Sequence, residues 1–282
     1  MNLGEWLEHG ETQLRAGPHP DRARRDAETL LLHLIGKNRA WLLAHHDDNF
    51  AGCKAIGYAA LLNRRQKGEP IQYITGETEF YGLPFHVTPE VLIPRPETEH
   101  LVEKVVELLP LFANPRVADI GTGSGAIAIA VAHEWPRARL TATEISASAL
   151  ELARSNAERT GFANPIRFLQ GDLLAPISGE HFDLIVSNPP YVPVSDRPSL
   201  SVEVRDFEPS LALFAGDDGL DLYRRLIPAA FTSLVPGGYL VLEIGFGQSD
   251  AVHTLLAAAG FTRIEFTPDL QGIPRVVVAS HP

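Results

Sequence analysis

Apolar residues recur at helical spacing in the first part of the chain and in short runs through the rest. Leu3, Trp6, Leu7 and Leu14 fall at intervals that share one helix face. Pro20 and Asp21 open a second helix, with proline in the first turn, and its stripe of Ala23, Ala27, Leu30, Leu31, Leu34 and Ile35 closes at Gly36. Trp41-Leu42-Leu43 begins a third, short piece, and Ile56 to Arg65 reads as a fourth helix. Four short helices predict a helical bundle over residues 1–68. Gly68-Glu69-Pro70 breaks the pattern. From Ile71 to Val87 the residues turn β-branched and aromatic (Tyr73, Ile74, Thr78, Phe80, Tyr81, Phe85, Val87) around a turn at Gly82, so a β-hairpin linker is expected over 69–94. Pro94 and Pro96 then bracket Arg95 and restart a helix, striped by Leu101, Val102, Val105, Val106, Leu108 and Leu109.

Residues 95–282 alternate between short apolar strands and helices. Val117–Ile120, Leu140–Thr143, Ile166–Leu169, Asp183–Val186 and Tyr239–Ile244 read as strands, Ala126–His133 as a helix, and Ser146 caps a helix that Gly161 ends. Ile264–Phe266 and Val276–Val278 close the chain as an antiparallel pair. The alternation predicts an α/β domain with a doubly wound, mostly parallel sheet. Pro193 to Asp218 is a long polar connection of the kind that forms lids and binding loops.

Composition narrows the function. Lys plus Arg total 24 and Asp plus Glu 35, a net charge of −11. Phosphate binding depends on displaced counterions, so no stable nucleic acid binding is expected of so acidic a chain. The one cysteine, Cys53, can form neither an internal disulfide nor a thiolate cluster. The eleven histidines are scattered, and His133-Glu134 lacks the second histidine of a zinc helix, so no metal is expected. Glu5, Glu8 and His9 at the N-terminus are unlike a signal peptide, and no apolar run nears the roughly 20 residues of a membrane span. A cytoplasmic protein is expected.

Asp119-Ile120-Gly121-Thr122-Gly123-Ser124-Gly125 follows a strand and opens a helix. Glycines there let the backbone turn tightly and approach a ligand. Glu144 ends the next strand, where a carboxylate can accept both ribose hydroxyls of an adenosine. Gly121, Gly123 and Ala126 also fit a dinucleotide fingerprint. Asp119 tilts the choice, because an acid before the glycines suits the amino acid part of S-adenosylmethionine and would repel a pyrophosphate. A strand-end residue that merely caps the loop is the plainer role for it.

A second signal follows the strand ending at Val186-Ser187. Asn188-Pro189-Pro190-Tyr191 contains two prolines that fix φ and remove two donors. The Asn188 side-chain carbonyl and the Pro189 carbonyl can then accept both N–H bonds of an incoming NH₂ group, and Tyr191 offers a face to a planar substrate. An amide or exocyclic amine is a weak nucleophile, and two directed acceptors stabilise the positive charge developing on its nitrogen. Methyl transfer to such a nitrogen is the expected chemistry.

These motifs, with the segment Gly68 to Glu99 that ends in Ile93-Pro94-Arg95-Pro96-Glu97-Thr98-Glu99, closely resemble the bacterial peptide chain release factor glutamine N5-methyltransferases. The resemblance is strongest from Gly68 to Val192. It implies a Rossmann-like class I S-adenosylmethionine-dependent methyltransferase domain over 95–282, with an N-terminal helical domain for substrate docking and a linking hairpin. The implied substrate is the glutamine of the Gly-Gly-Gln loop of class I release factors. The implied cofactor residues are Asp119, Gly121, Thr122, Gly123, Ser124, Gly125 and Glu144, with Asp172 and Leu173 near the adenine and Asn188 shared with the substrate. Glu144 stands where the family often has aspartate. Asn188, Pro189, Pro190 and Tyr191 would hold the glutamine amide. A ribosomal-protein glutamine methyltransferase shares the glycine loop and the Asn-Pro-Pro-Tyr segment but usually departs from Arg95 to Glu99. An N6-adenine methyltransferase shares Asn-Pro-Pro-Tyr but needs base flipping and a basic groove. A binding protein that kept the fold and lost the chemistry would bind cofactor without transferring methyl.

Overall fold

The computed structural model describes residues 1–282 and forms two compact units. The first comprises Met1–Glu77 and Leu200–Phe207, the second Thr78–Ser199 and Glu208–Pro282. No helix is long and apolar enough to cross a membrane.

In the first unit, α1 (Leu3–Arg15), α2 (Ala23–Ile35), α3 (Arg39–Ala44) and α4 (Cys53–Gln66) form the bundle. Asn2 and Glu5 make a reciprocal capping box at the start of α1, and Gly36, at φ 64°, ends α2 in the left-handed conformation. Leu3, Leu7, Leu14, Leu30, Leu31, Tyr58 and Leu62 fill the core. The stretch opening at Ile71 departs from the extended reading. Ile71–Thr75 is a helical turn, α5, bracketed by Pro70 and by Gly76 at φ 79°. Ile74 is buried in the bundle core, so packing overrides the β-propensity of these residues. The hairpin itself is β1 (Glu77–Phe80) and β2 (Leu83–His86). The polar connection is also more ordered than its composition suggests, since Val202–Phe207 forms a helix, here α9, within the first unit. Its Glu203 lies 2.6 Å from Arg65, a buried residue that also pairs with Asp26 at 2.6 Å.

The second unit holds α6 (Glu99–Leu108), β3 (Arg116–Ile120), α7 (Ala126–Glu134), β4 (Arg139–Glu144), α8 (Ala147–Thr160), β5 (Ile166–Gln170) and β6 (Phe182–Ser187). After these come α10 (Asp221–Ser233), β7 (Leu234–Glu243), α11 (Ser249–Ala259), β8 (Thr262–Pro268) and β9 (Pro274–Ser280). The seven strands order as β5-β4-β3-β6-β7-β9-β8, parallel except where β9 joins β7 and β8. Side chains alternate across the sheet. Val117, Leu184 and Val186 face the core of α6, α7 and α8, while Ala118, Ile120 and Ile185 face that of α10 and α11. The run Ala126–Ala132 is buried throughout, which explains why α7 is apolar on all sides.

From β3 the chain builds outward to β4 and β5 on one side and then to β6 and β7 on the other. The order reverses between β3 and β6. In open α/β sheets the carboxyl ends of strands at such a reversal frame the ligand crevice.

Candidate active site

The glycine loop leaves β3 at this reversal. The N–H groups of Gly121 and Thr122 both donate to the Thr143 carbonyl, at 2.9 and 3.0 Å, which pins the loop against β4. Gly121 and Gly123 have φ of 73° and 56°, and a Cβ on either would meet nothing within 4 Å. Their backbones therefore face open space. Gly125, at φ 85°, is different, since a Cβ there would approach Ile129 at 3.0 Å and Ala153 at 3.2 Å. Ser124 is buried beneath the loop, where its carbonyl accepts from Asn156 Nδ2 at 2.9 Å.

Asp119 lies fully buried at the end of β3. Its Oδ2 accepts from Thr122 Oγ1 at 2.6 Å, while its buried Oδ1 has no hydrogen-bond partner. Burial disfavours the charge and pushes the Asp119 pKa up to about 7; the Thr122 bond and then the nearby Ala128 backbone amide only partly offset this, and Glu144 adds to the rise. An orphaned buried carboxylate oxygen costs free energy in the free protein and marks a place for a donor or cation. Glu144 Oε2 accepts from Gly123 N at 3.0 Å and Oε1 from Ser146 N at 3.0 Å, so the carboxylate is fixed with lone pairs to spare. The buried acceptor, the open backbone and the fixed acid at neighbouring strand ends fit an adenosyl amino acid.

Asp172 and Leu173 sit farther along. Asp172 is ion-paired with Arg225 and about half exposed. Leu173 adopts a positive φ of 49°, and its carbonyl accepts from Thr143 Oγ1 at 2.9 Å. That bond ties the loop after β5 to β4.

Asn188-Pro189-Pro190-Tyr191 leaves β6, the strand beside β3. Ser187 Oγ donates to the Ile120 carbonyl at 2.6 Å, locking the two strand ends together. Asn188 Nδ2 donates to Thr98 Oγ1 at 3.0 Å. No group of the chain donates to Asn188 Oδ1 or to the Pro189 carbonyl, so both remain acceptors. The Tyr191 carbonyl accepts from Gln248 Nε2 at 2.9 Å, and Tyr191 Oη donates to Glu243 Oε1 at 3.3 Å. Burial, and then the neighbouring Glu243, raise the Tyr191 pKa well above its ordinary value.

Three residues of this site escape motif reading. Thr98 precedes α6, Glu243 ends β7, and Gln248 precedes α11. Thr98 Oγ1 donates to Glu243 Oε2 at 2.6 Å. Glu243 is 2% exposed, and burial pushes its pKa up to about 7 despite the hydrogen bonds from Thr98 and Tyr191. The signal available in the sequence was a lone carboxylate in the apolar run Tyr239 to Ile244. Arg95 forks onto buried Glu208 at 2.5 and 2.7 Å, which anchors the Arg95–Glu99 segment.

Residues 97–201 match the family model of the methyltransferase small domain, and residues 5–76 that of the PrmC N-terminal domain. The chain is 43% identical over 283 residues to the release factor glutamine methyltransferase of Koribacter versatilis, covering 100% of this chain and 99% of that one. With that of Moorella thermoacetica it shares 46% identity, over 99% of this chain and 98% of the relative. Among solved structures, a methyltransferase from Pyrococcus furiosus superposes with a TM-score of 0.53 at 20% identity, over 72% of this chain and 90% of its own; that likeness concerns fold alone.

Proposed function

The chain belongs to the release factor glutamine methyltransferase family, and on that premise we propose that it methylates N5 of the glutamine in the Gly-Gly-Gln motif of class I release factors, with S-adenosylmethionine as donor. The observation that carries this reading is the pair of unengaged acceptors, Asn188 Oδ1 and the Pro189 carbonyl, at the end of β6. They accept the two N–H bonds of the glutamine amide and turn its nitrogen toward the crevice beside β3. Tyr191 provides a face for the planar amide. As positive charge develops on nitrogen these acceptors strengthen, so they favour the transition state over the bound substrate. No side chain needs to act as base, because the proton leaves after transfer, when it is far more acidic.

Asp119 Oδ1 fits the ammonium of the donor's amino acid part, Gly121 to Gly125 its close approach, and Glu144 its ribose hydroxyls. Asp172 and Leu173 border the adenine side. When bound, S-adenosylmethionine supplies an electrophilic methyl on a sulfonium. An unmethylated release factor incubated with the protein and the donor should gain one methyl by peptide mass spectrometry, at the Gly-Gly-Gln glutamine. Methylation that persists when this glutamine is replaced would overturn the assignment.

We assign the docking of the release factor to the helical bundle and to residues 193–218. The inclusion of Leu200–Phe207, the middle of that connection, in the bundle's compact unit supports this, since one unit then carries the bundle and part of the connection. Hydrogen exchange should slow in both on adding release factor; unchanged exchange in both would remove the assignment.

A further inference from the structure

We propose that Thr98 and Glu243 are positioning residues whose hydrogen-bond chain sets which end of the Asn188 amide faces the substrate. This rests on the reaction proposed above. Glu243 is a carboxylate on a strand of the central sheet, buried and without a salt-bridge partner. Such a group is costly unless hydrogen-bonded, and its bonds here go to site residues, Thr98 at 2.6 Å and Tyr191 at 3.3 Å. Thr98 stands at the N-cap of α6, where a threonine hydroxyl ordinarily accepts an N–H of the first turn. It makes no such cap. Its hydroxyl is used across the fold instead.

The direction of the chain follows from donor counting. In its ionised form, which the hydrogen bonds from Thr98 and Tyr191 favour, the Glu243 carboxylate only accepts, so the single Thr98 hydroxyl proton then points at Glu243. Thr98 Oγ1 then presents only lone pairs to Asn188, and only the Asn188 NH₂ can meet them at 3.0 Å. A turned amide would set Oδ1 against Oγ1 with no proton between them. Asn188 Oδ1 is thereby held toward the substrate before it arrives, and no reorganisation is needed when charge develops. Tyr191 is held by the other oxygen of the same carboxylate, so one buried group orients both side chains of the substrate motif.

The test pairs Thr98→Val, which keeps shape and loses the hydroxyl, with Thr98→Ser, which restores it. Nuclear magnetic resonance follows the Asn188 side-chain amide, assigned by its absence in Asn188→Asp. In the wild type one amide proton should exchange slowly; in Thr98→Val that protection should be lost, and in Thr98→Ser regained. Turnover on release factor should fall about tenfold in Thr98→Val, through kcat with little change in KM or in S-adenosylhomocysteine affinity. A release factor carrying glutamate at the target position should inhibit Thr98→Val more strongly than wild type, because a freed amide can turn its NH₂ toward a carboxylate. Full protection of the amide and unchanged kcat in Thr98→Val would overturn the proposal, as would equal losses in Thr98→Val and Thr98→Ser. If the amide responds as expected but the wild type does not methylate release factor, the proposed substrate falls while the positioning role stands.

Discussion

The loops after β3 and β6 leave neighbouring parallel strands, and each is served by a buried carboxylate whose pKa burial raises to about 7. The two are treated differently. Asp119 keeps one oxygen unpartnered, whereas both oxygens of Glu243 accept from hydroxyls of the chain. An orphaned acceptor has uncompensated desolvation that a ligand can relieve, so Asp119 suits binding. A satisfied one has no remaining need of a ligand and instead fixes its neighbours, so Glu243 suits positioning. Similar burial thus serves two purposes, and the count of hydrogen bonds separates them.

Substitutions can break this division. Asn188→Ala removes the directed acceptor of the β6 loop and should lower kcat about hundredfold, with S-adenosylhomocysteine affinity changed by no more than a few-fold, read by steady-state kinetics and calorimetry. Near-normal turnover would remove the β6 loop from the mechanism. Asp119→Asn has the next largest effect, a loss of about tenfold in S-adenosylhomocysteine affinity.

The smallest effect is in pH. The folded Asp119 pKa, about 7, lies above its ordinary 3.8. The fold therefore holds the proton, and this group's stability is fully present below the ordinary value and lost as pH rises through about 7. Cofactor affinity runs the other way, since an ammonium prefers the ionised acid, and should rise a few-fold toward pH 7 and level off. Calorimetry across this range should show the rise in wild type and not in Asp119→Asn.

Much of this was legible in the residues. The alternation after Arg116 gave the strands, Ser146 and Gly161 bound α8 as capping chemistry requires, and the two site motifs lie on adjacent strand ends. Local signals failed where a distant partner decides. Ile71–Thr75 looks extended by propensity but packs as a helical turn on the bundle core. The helices α10 and α11 begin without a capping side chain, so no such signal marks where either starts. Tyr239–Ile244 read as the strand, yet β7 begins at Leu234, with a register shift between Phe182 and Leu184 on β6 that takes up the extra residues. Thr98 and Glu243 are 145 residues apart, and nothing in the periodicity of either segment announces their 2.6 Å bond.

The most direct measurement is single-turnover methyl transfer to release factor at saturating S-adenosylmethionine, with Asp119→Asn and Asn188→Ala side by side. If the β3 loop binds and the β6 loop positions, saturation should return Asp119→Asn to near the wild-type rate and leave Asn188→Ala slow. The account is contradicted if saturation rescues Asn188→Ala, or if Asp119→Asn stays as slow as Asn188→Ala.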